Sequence, residues 1–267
     1  MFMPNTQFDH AVVFVADLNQ AIDDFTALGF QVTPGGSHGI TENALLIFAN
    51  QTYIELLALK PSWYRPLIRL AIRLNIIQQQ AETKNNIYAR LSGWICGATG
   101  PVDWCVRVED IDASLTQWKH ADIEILPSKE FSRQRTDGVI ASWKLGGSRE
   151  ADLPFLIQDI TPTETRVPIN GTTQHANGAV DLIAAEIRAS DAASACNRLR
   201  GAFIAETEQT DGAWQPFTLG KVAISYADMQ SAPVKISVTL SYDGEQVQHL
   251  DISKTHGIGI SLVPKNL

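Results

Sequence analysis

Hydrophobic and polar positions along this chain follow a pattern that repeats. Phe8 to Ala16 is an apolar, β-forming run opened by Asp9-His10, and Asp17 stands where a helix N-cap belongs. Leu18, Ala21, Ile22, Phe25 and Leu28 follow at the helical period, and Gly29 supplies the stop. Two β-rich segments, 44–49 and 52–59, are then separated by Asn50-Gln51, a two-residue hairpin spacing. The order is β-α-β-β-β.

The pattern returns at an ungapped offset of 93, which lays Pro101–Ile111 over Phe8–Leu18 and Asp110 over Asp17. Residues 139–145 and 153–160 supply its closing strands. A third copy starts near Asp181, with a strand over 184–191, a helix over 192–199 and a late strand over 221–226. Strands over 234–240 and 257–263, with no clear helix between them, read as a truncated fourth copy. The expected divisions are a first module over 1–60, an insertion over 61–99, a second module over 100–165, and the third module with the truncated fourth over 166–267. Units this short cannot bury the inner face of a sheet alone, so they must pair. The expected fold is α+β: repeated β-α-β-β-β modules forming curled mixed sheets around a cleft, with a helical insertion.

The insertion is predicted to be helical over Pro66–Gln80, with Arg65, Arg69 and Arg73 on one face. Its plain reading is a helix packed over the cleft with solvated arginines. A membrane-surface helix or a homodimer contact is the alternative.

Composition narrows the function. Hydrophobic residues make up 45% and charged residues 19%, an ordinary globular balance. A net charge of −8 argues against a nucleic-acid partner. Cys96, Cys105 and Cys196 form no CxxC pair, and residues 1–7 carry no leader pattern, so a cytoplasmic protein with reduced thiols is expected. No GxGxxG or GxxxxGK[ST] motif is present, so no nucleotide cofactor is expected.

The polar residues placed in apolar runs are the chemical candidates. Glu55 lies within Tyr-Ile-Glu-Leu-Leu-Ala-Leu, where an unpartnered carboxylate is costly and calls for a cation, a metal or water. A strand imidazole at His10 together with that carboxylate makes half of a mononuclear divalent-metal site.

A β-α-β-β-β repeat that starts Asp-His and closes on an Ile-Glu strand resembles the vicinal oxygen chelate superfamily. More narrowly, six pieces are similar to the glyoxalase-like domain family of bacterial proteins. They are Pro34-Gly35-Gly36-Ser37-His38-Gly39, Thr41-Glu42-Asn43-Ala44-Leu45, Tyr53-Ile54-Glu55-Leu56, Asp137-Gly138, Leu153-Pro154-Phe155-Leu156-Ile157 and His175-Ala176-Asn177-Gly178-Ala179. The resemblance implies a small oxygen-rich substrate, a divalent ion (Zn, Fe, Mn or Ni) on His10 and Glu55, and isomerase, lyase or dioxygenase chemistry. The positions that would hold a second ligand pair carry Asp103 and Phe155, and the third copy has Ala184 opposite His10. His38, in the Gly-rich turn, is then expected to complete a 2-His-1-carboxylate set with His10 and Glu55. Glu55 and His175 are the acid/base candidates, while Asn43, Asp103 and Phe155 are the substrate-side candidates. The alternative is a metal-free small-molecule-binding module of the bleomycin-resistance type.

Overall fold

The computed structural model describes residues 6–61, 65–135, 138–203, 217–229 and 235–266. Asp137 of the Asp137-Gly138 motif and Val234 at the start of the strand expected over 234–240 lie outside the described residues, as does the side chain of His38.

The first module runs β1 (Gln7–Phe14), α1 (Leu18–Ala27), β2 (Thr33–His38), β3 (Thr41–Ile47) and β4 (Tyr53–Leu59). Three helices follow: α2 (Arg65–Arg73), α3 (Ile76–Glu82) and α4 (Tyr88–Cys96). The next module is β5 (Gly100–Arg107), α5 (Ile111–His120), β6 (Ile125–Gln134), β7 (Ile140–Ser148) and β8 (Phe155–Asp159), trailed by the single turn α6 (Thr163–Arg166). The last part contains β9 (Ala179–Ala189), α7 (Ala192–Phe203), β10 (Phe217–Leu219), β11 (Val222–Asp228), β12 (Ile236–Tyr242), β13 (Gln248–His249) and β14 (Gly259–Pro264).

Two mixed sheets result. The first has the order β2-β3-β4-β1-β5-β8-β7-β6, the second β10-β11-β9-β12-β14-β13. In the first, β1 and β5 meet antiparallel at the centre, and each pairs in parallel with the last strand of its own module, β4 or β8. The second sheet has the same plan: β9 and β12 are antiparallel, with β11 and β14 parallel on either side. The first sheet curls until its two edge strands, β2 and β6, touch.

Each helix start follows from its cap. Asp17 accepts from the Gln20 N–H and Asp110 from those of Asp112 and Ala113, which satisfies amides that a helix N-terminus leaves open. The helices bury Leu18, Ala21 and Phe25, or Ile111, Leu115 and Trp118, against one face of the first sheet. The second sheet packs into the same core through Leu182, Ala185, Val238 and Leu240. Strand alternation then aims His10, Val12 and Phe14, and Tyr53, Glu55, Leu57 and Leu59, at the opposite, concave face.

The structure corrects two local expectations. The helix expected over Pro66–Gln80 is two helices, because Asn75 takes a left-handed φ of 58° and breaks the run; α4 was not anticipated. The Gly-rich stretch 34–39 is strand rather than turn up to His38: β2 pairs with β3 through an irregularity at Pro34/Gly36, and the chain reverses at Gly39-Ile40. As an edge strand β2 tolerates Pro and Gly.

Candidate functional site

The concave face of the first sheet and helices α3 and α4 enclose a cavity of about 470 Å³, within the range of small-molecule sites. Its wall is mostly apolar: Trp94, Phe131, Trp143, Phe155 and Leu57 among others. Polar groups converge at one end, where His10, Asn43, Tyr53, Glu55, Arg133 and Arg166 meet.

His10 is held on three sides. The register between β1 and β5 slips between Phe8 and His10, so Asp9 is an extra residue in a bulge. That places the Asp9 carboxylate 2.7 Å from His10 Nδ1. The Tyr53 ring stacks on the imidazole at 4.4 Å, and Phe155 meets it edge-on at 5.4 Å. An ionised Asp9 can only accept, so Nδ1 carries a proton, and Nε2 is the ring nitrogen that faces the cavity. There it lies 3.5 Å from Glu55 Oε2. The Asn43 amide donates to the other Glu55 oxygen, which fixes the carboxylate.

Asp9 itself is fully buried. Burial alone would raise its pKa, but the Arg166 charge and the His10 bond outweigh that and hold the carboxyl far below the usual range. Arg166 grips it with Nη1 and Nη2 at 2.9 Å each, and binds Asp159 through Nε at 2.7 Å. Its Nη1 also donates to the Tyr53 hydroxyl at 2.7 Å. Arg166 thus neutralises two carboxylates and fixes the ring that stacks on His10. Burial pushes the Tyr53 phenol well above its ordinary pKa, so it remains a neutral donor.

The second module's half of the cleft carries no matching pair. Val15 N–H bonds Leu57 O and Val108 N–H bonds Ile157 O, so Asp103 is the counterpart of His10 and Phe155 that of Glu55. Asp103 does not line the cavity. It is buried and saturated by Arg90 Nε at 2.7 Å, Arg90 Nη2 at 2.6 Å and the Trp94 indole at 2.8 Å. Phe155 forms apolar wall.

His175 also lies off the cavity. Its Nδ1 accepts from the Gln31 N–H at 3.0 Å, its Nε2 is 3.0 Å from Ile47 O, and it packs on Phe30 and Phe48. With both nitrogens on the backbone it has none for acid/base work. Its motif is a joint: Asn177 donates to Leu28 O, and the Asn177 N–H donates to Gly29 O. Gly29, at a φ of +84°, is the residue that leaves room for that approach.

Among the sequence candidates, His10, Glu55, Asn43 and Phe155 therefore meet in the cavity, and Asp103 and His175 lie outside it. Arg133 and Arg166 were missed. An acidic residue beside a strand histidine does demand a cation, but nothing in the spacing chooses among Arg107, Arg133 and Arg166.

The residues fit a divalent ion at one place. Two ligands at about 2.1 Å from a tetrahedral ion lie roughly 3.4 Å apart, close to the His10–Glu55 separation. A carboxylate on the far imidazole nitrogen is the usual support for a metal-binding histidine. Asp9, His10 and Cys105 also bring potential ligand atoms within 4.8 Å of one another. That trio suits an ion less well. Asp9 is committed to Arg166 and to His10 Nδ1, and burial pushes the Cys105 thiol well above its ordinary pKa.

Comparison with known proteins agrees with this architecture. A model of a glyoxalase-like domain matches residues 8–203. A search of curated proteins returned no match. A hypothetical protein from Staphylococcus aureus, 16% identical, aligns over 97% of this chain and 99% of its own with a TM-score of 0.72, which shows the same fold. A Mn(II)-bound glyoxalase from Novosphingobium aromaticivorans aligns at 8% identity over 88% of this chain and 65% of its own, with a TM-score of 0.45. Methylmalonyl-CoA epimerase from Mycobacterium tuberculosis aligns at 16% identity over 57% and 86%, with a TM-score of 0.34. Among the described residues no helix is long and apolar enough to cross a membrane.

Proposed function

The chain belongs to the glyoxalase-like domain family, and on that premise we propose that its cleft is the active site of a divalent-metal-dependent enzyme acting on a small oxygen-bearing molecule. The observation that carries this reading is the His10 Nε2–Glu55 pair, 3.5 Å apart at the polar end of an otherwise apolar cavity. His10 and Glu55 would hold the ion; the side chain of His38, the third ligand expected from the sequence, lies outside the described residues. When bound, the ion would supply Lewis acidity to a substrate oxygen.

The chain's own groups do the rest. Asp9 holds His10 through Nδ1, so Nε2 is the nitrogen directed at the site. Asn43 holds one Glu55 oxygen and leaves the other toward His10; Glu55 is also the carboxylate at that end that would take a proton from a substrate. A substrate packed against the aromatic wall would displace water from the cavity, which strengthens electrostatic contacts at the polar end.

A second reading, a metal-free binding module, is favoured by Asp103 and Phe155, which leave the second half of the cleft without ligands. Elemental analysis of protein purified without chelator separates the two. Stoichiometric metal is expected, and it should be lost in both His10→Ala and Glu55→Gln while their circular dichroism stays that of the wild type. Protein that takes up no metal under any loading condition would refute the enzyme reading and leave the binding module.

A further inference from the structure

Arg133 is a buried guanidinium of the cavity that the proposed chemistry leaves unused. It rises from β6, the edge strand of the second module, and is only 8% exposed. Its guanidinium has five N–H donors. Among the described residues, Nη1 donates to Asn43 Oδ1 at 3.3 Å and Nη2 to Arg166 O at 3.2 Å, both long, while Nε is buried with no partner. The face of Trp143 lies 5.9 Å from the guanidinium carbon. No described carboxylate lies within ion-pair distance of it: Asp9 and Asp159 are taken by Arg166, and Glu55 faces His10. A buried guanidinium with unfilled donors, beside a cavity, is a built anion site.

The fold makes room for it. A Cβ on Gly35 would meet Asn43 Oδ1 at 2.3 Å and Arg133 Nη1 at 3.1 Å, and one on Gly36 would meet Arg133 Cδ at 3.3 Å. The two glycines of β2 are therefore what let the sheet edges close on Arg133 and press it toward Asn43.

We propose that Arg133 binds a carboxylate of the substrate, so that the cavity takes small organic acids with an apolar substituent, the acid at Arg133 and the substituent against the aromatic wall. A carboxylate matches the planar donor fork. This rests on the cavity being the active site, but it does not require the metal. Asn43 touches both Arg133 and Glu55, so an acid on Arg133 presents its neighbouring carbon and oxygen to the His10–Glu55 pair.

The test is binding of phenylpyruvate, its methyl ester and inorganic phosphate to chelator-treated full-length protein, read by tryptophan fluorescence and calorimetry. The acid is expected to bind about 10–100-fold more tightly than the ester, the worth of a charge-assisted pair. Arg133→Gln should abolish that preference, and Arg133→Lys, which keeps the charge but loses the fork, should retain only part of it. His10→Ala should leave it intact, so loss of metal binding and loss of acid binding read out separately. Equal affinity for acid and ester, no binding of the acid, a preference that survives Arg133→Gln, or phosphate binding more tightly than the acid would each overturn the proposal. If Arg133→Gln does not fold, the Arg133→Lys series and the acid–ester comparison in the wild type decide.

Discussion

Asp9 and His175 show two ways an ionisable side chain is accommodated in an apolar interior. Asp9 stays charged because Arg166 and His10 surround it; His175 stays neutral because the backbone uses both its nitrogens. Burial holds the His175 imidazole below its ordinary pKa, opposed in part by the bond to Ile47. A group that protonates less readily folded than unfolded adds stability that is fully present above its unfolded pKa, about 6.5, and declines as the pH falls toward the folded value. Urea midpoints should therefore drop between about pH 7 and pH 5 in the wild type. In His175→Gln, which cannot charge, that drop should be smaller; identical profiles would contradict the assignment.

At the scale of elements, the insertion is the least regular part and also the roof of the site. Among its attachments Arg90 of α4 makes the most polar contacts, binding Asp103 on β5 and the carbonyls of Ser148, Glu150 and Leu153. Breaking a buried ion pair from one side costs about 3–5 kcal/mol, because the other charge is stranded. Asp103→Asn should lower stability by about that much. Amide exchange should speed up in 65–96, which cover the cavity, and stay slow in β1. Uniform acceleration across the chain would show that the pair supports the sheet instead. This region was also the least legible in the sequence. The apolar positions of Pro66–Gln80 fit one helix, and only the left-handed Asn75 divides it. The modules were legible for the opposite reason. Asp17 and Asp110 cap equivalent helices, and such caps are read from local sequence alone.

For the whole molecule, the two sheets share one core, and the first sheet brings distant segments to one place. His10 and Glu55 could be read from their own strands, since alternation fixes which way they face. Arg133 and Arg166 could not, because their positions depend on sheet closure and on a turn after β8, neither of which has a local signature. A fragment ending at residue 165 would lose Arg166 and expose the face that Leu182, Ala185, Val238 and Leu240 cover. It is expected to be insoluble or to lack a cooperative thermal transition, whereas a soluble fragment with a sharp transition would show that the first sheet is an independent unit.

The Asp9–Arg166 pair also bears on biosynthesis. Its partners are 157 positions apart, and Asp9 sits in the central strand of the first sheet. During translation the opening strand emerges with a carboxylate whose two-pronged guanidinium partner arrives only with Arg166; Arg107, whose Nε lies 3.7 Å from it, is the nearer cation in sequence. The carboxylate is only partly matched until then, and consolidation of the cleft is expected to wait for the segment that follows β8.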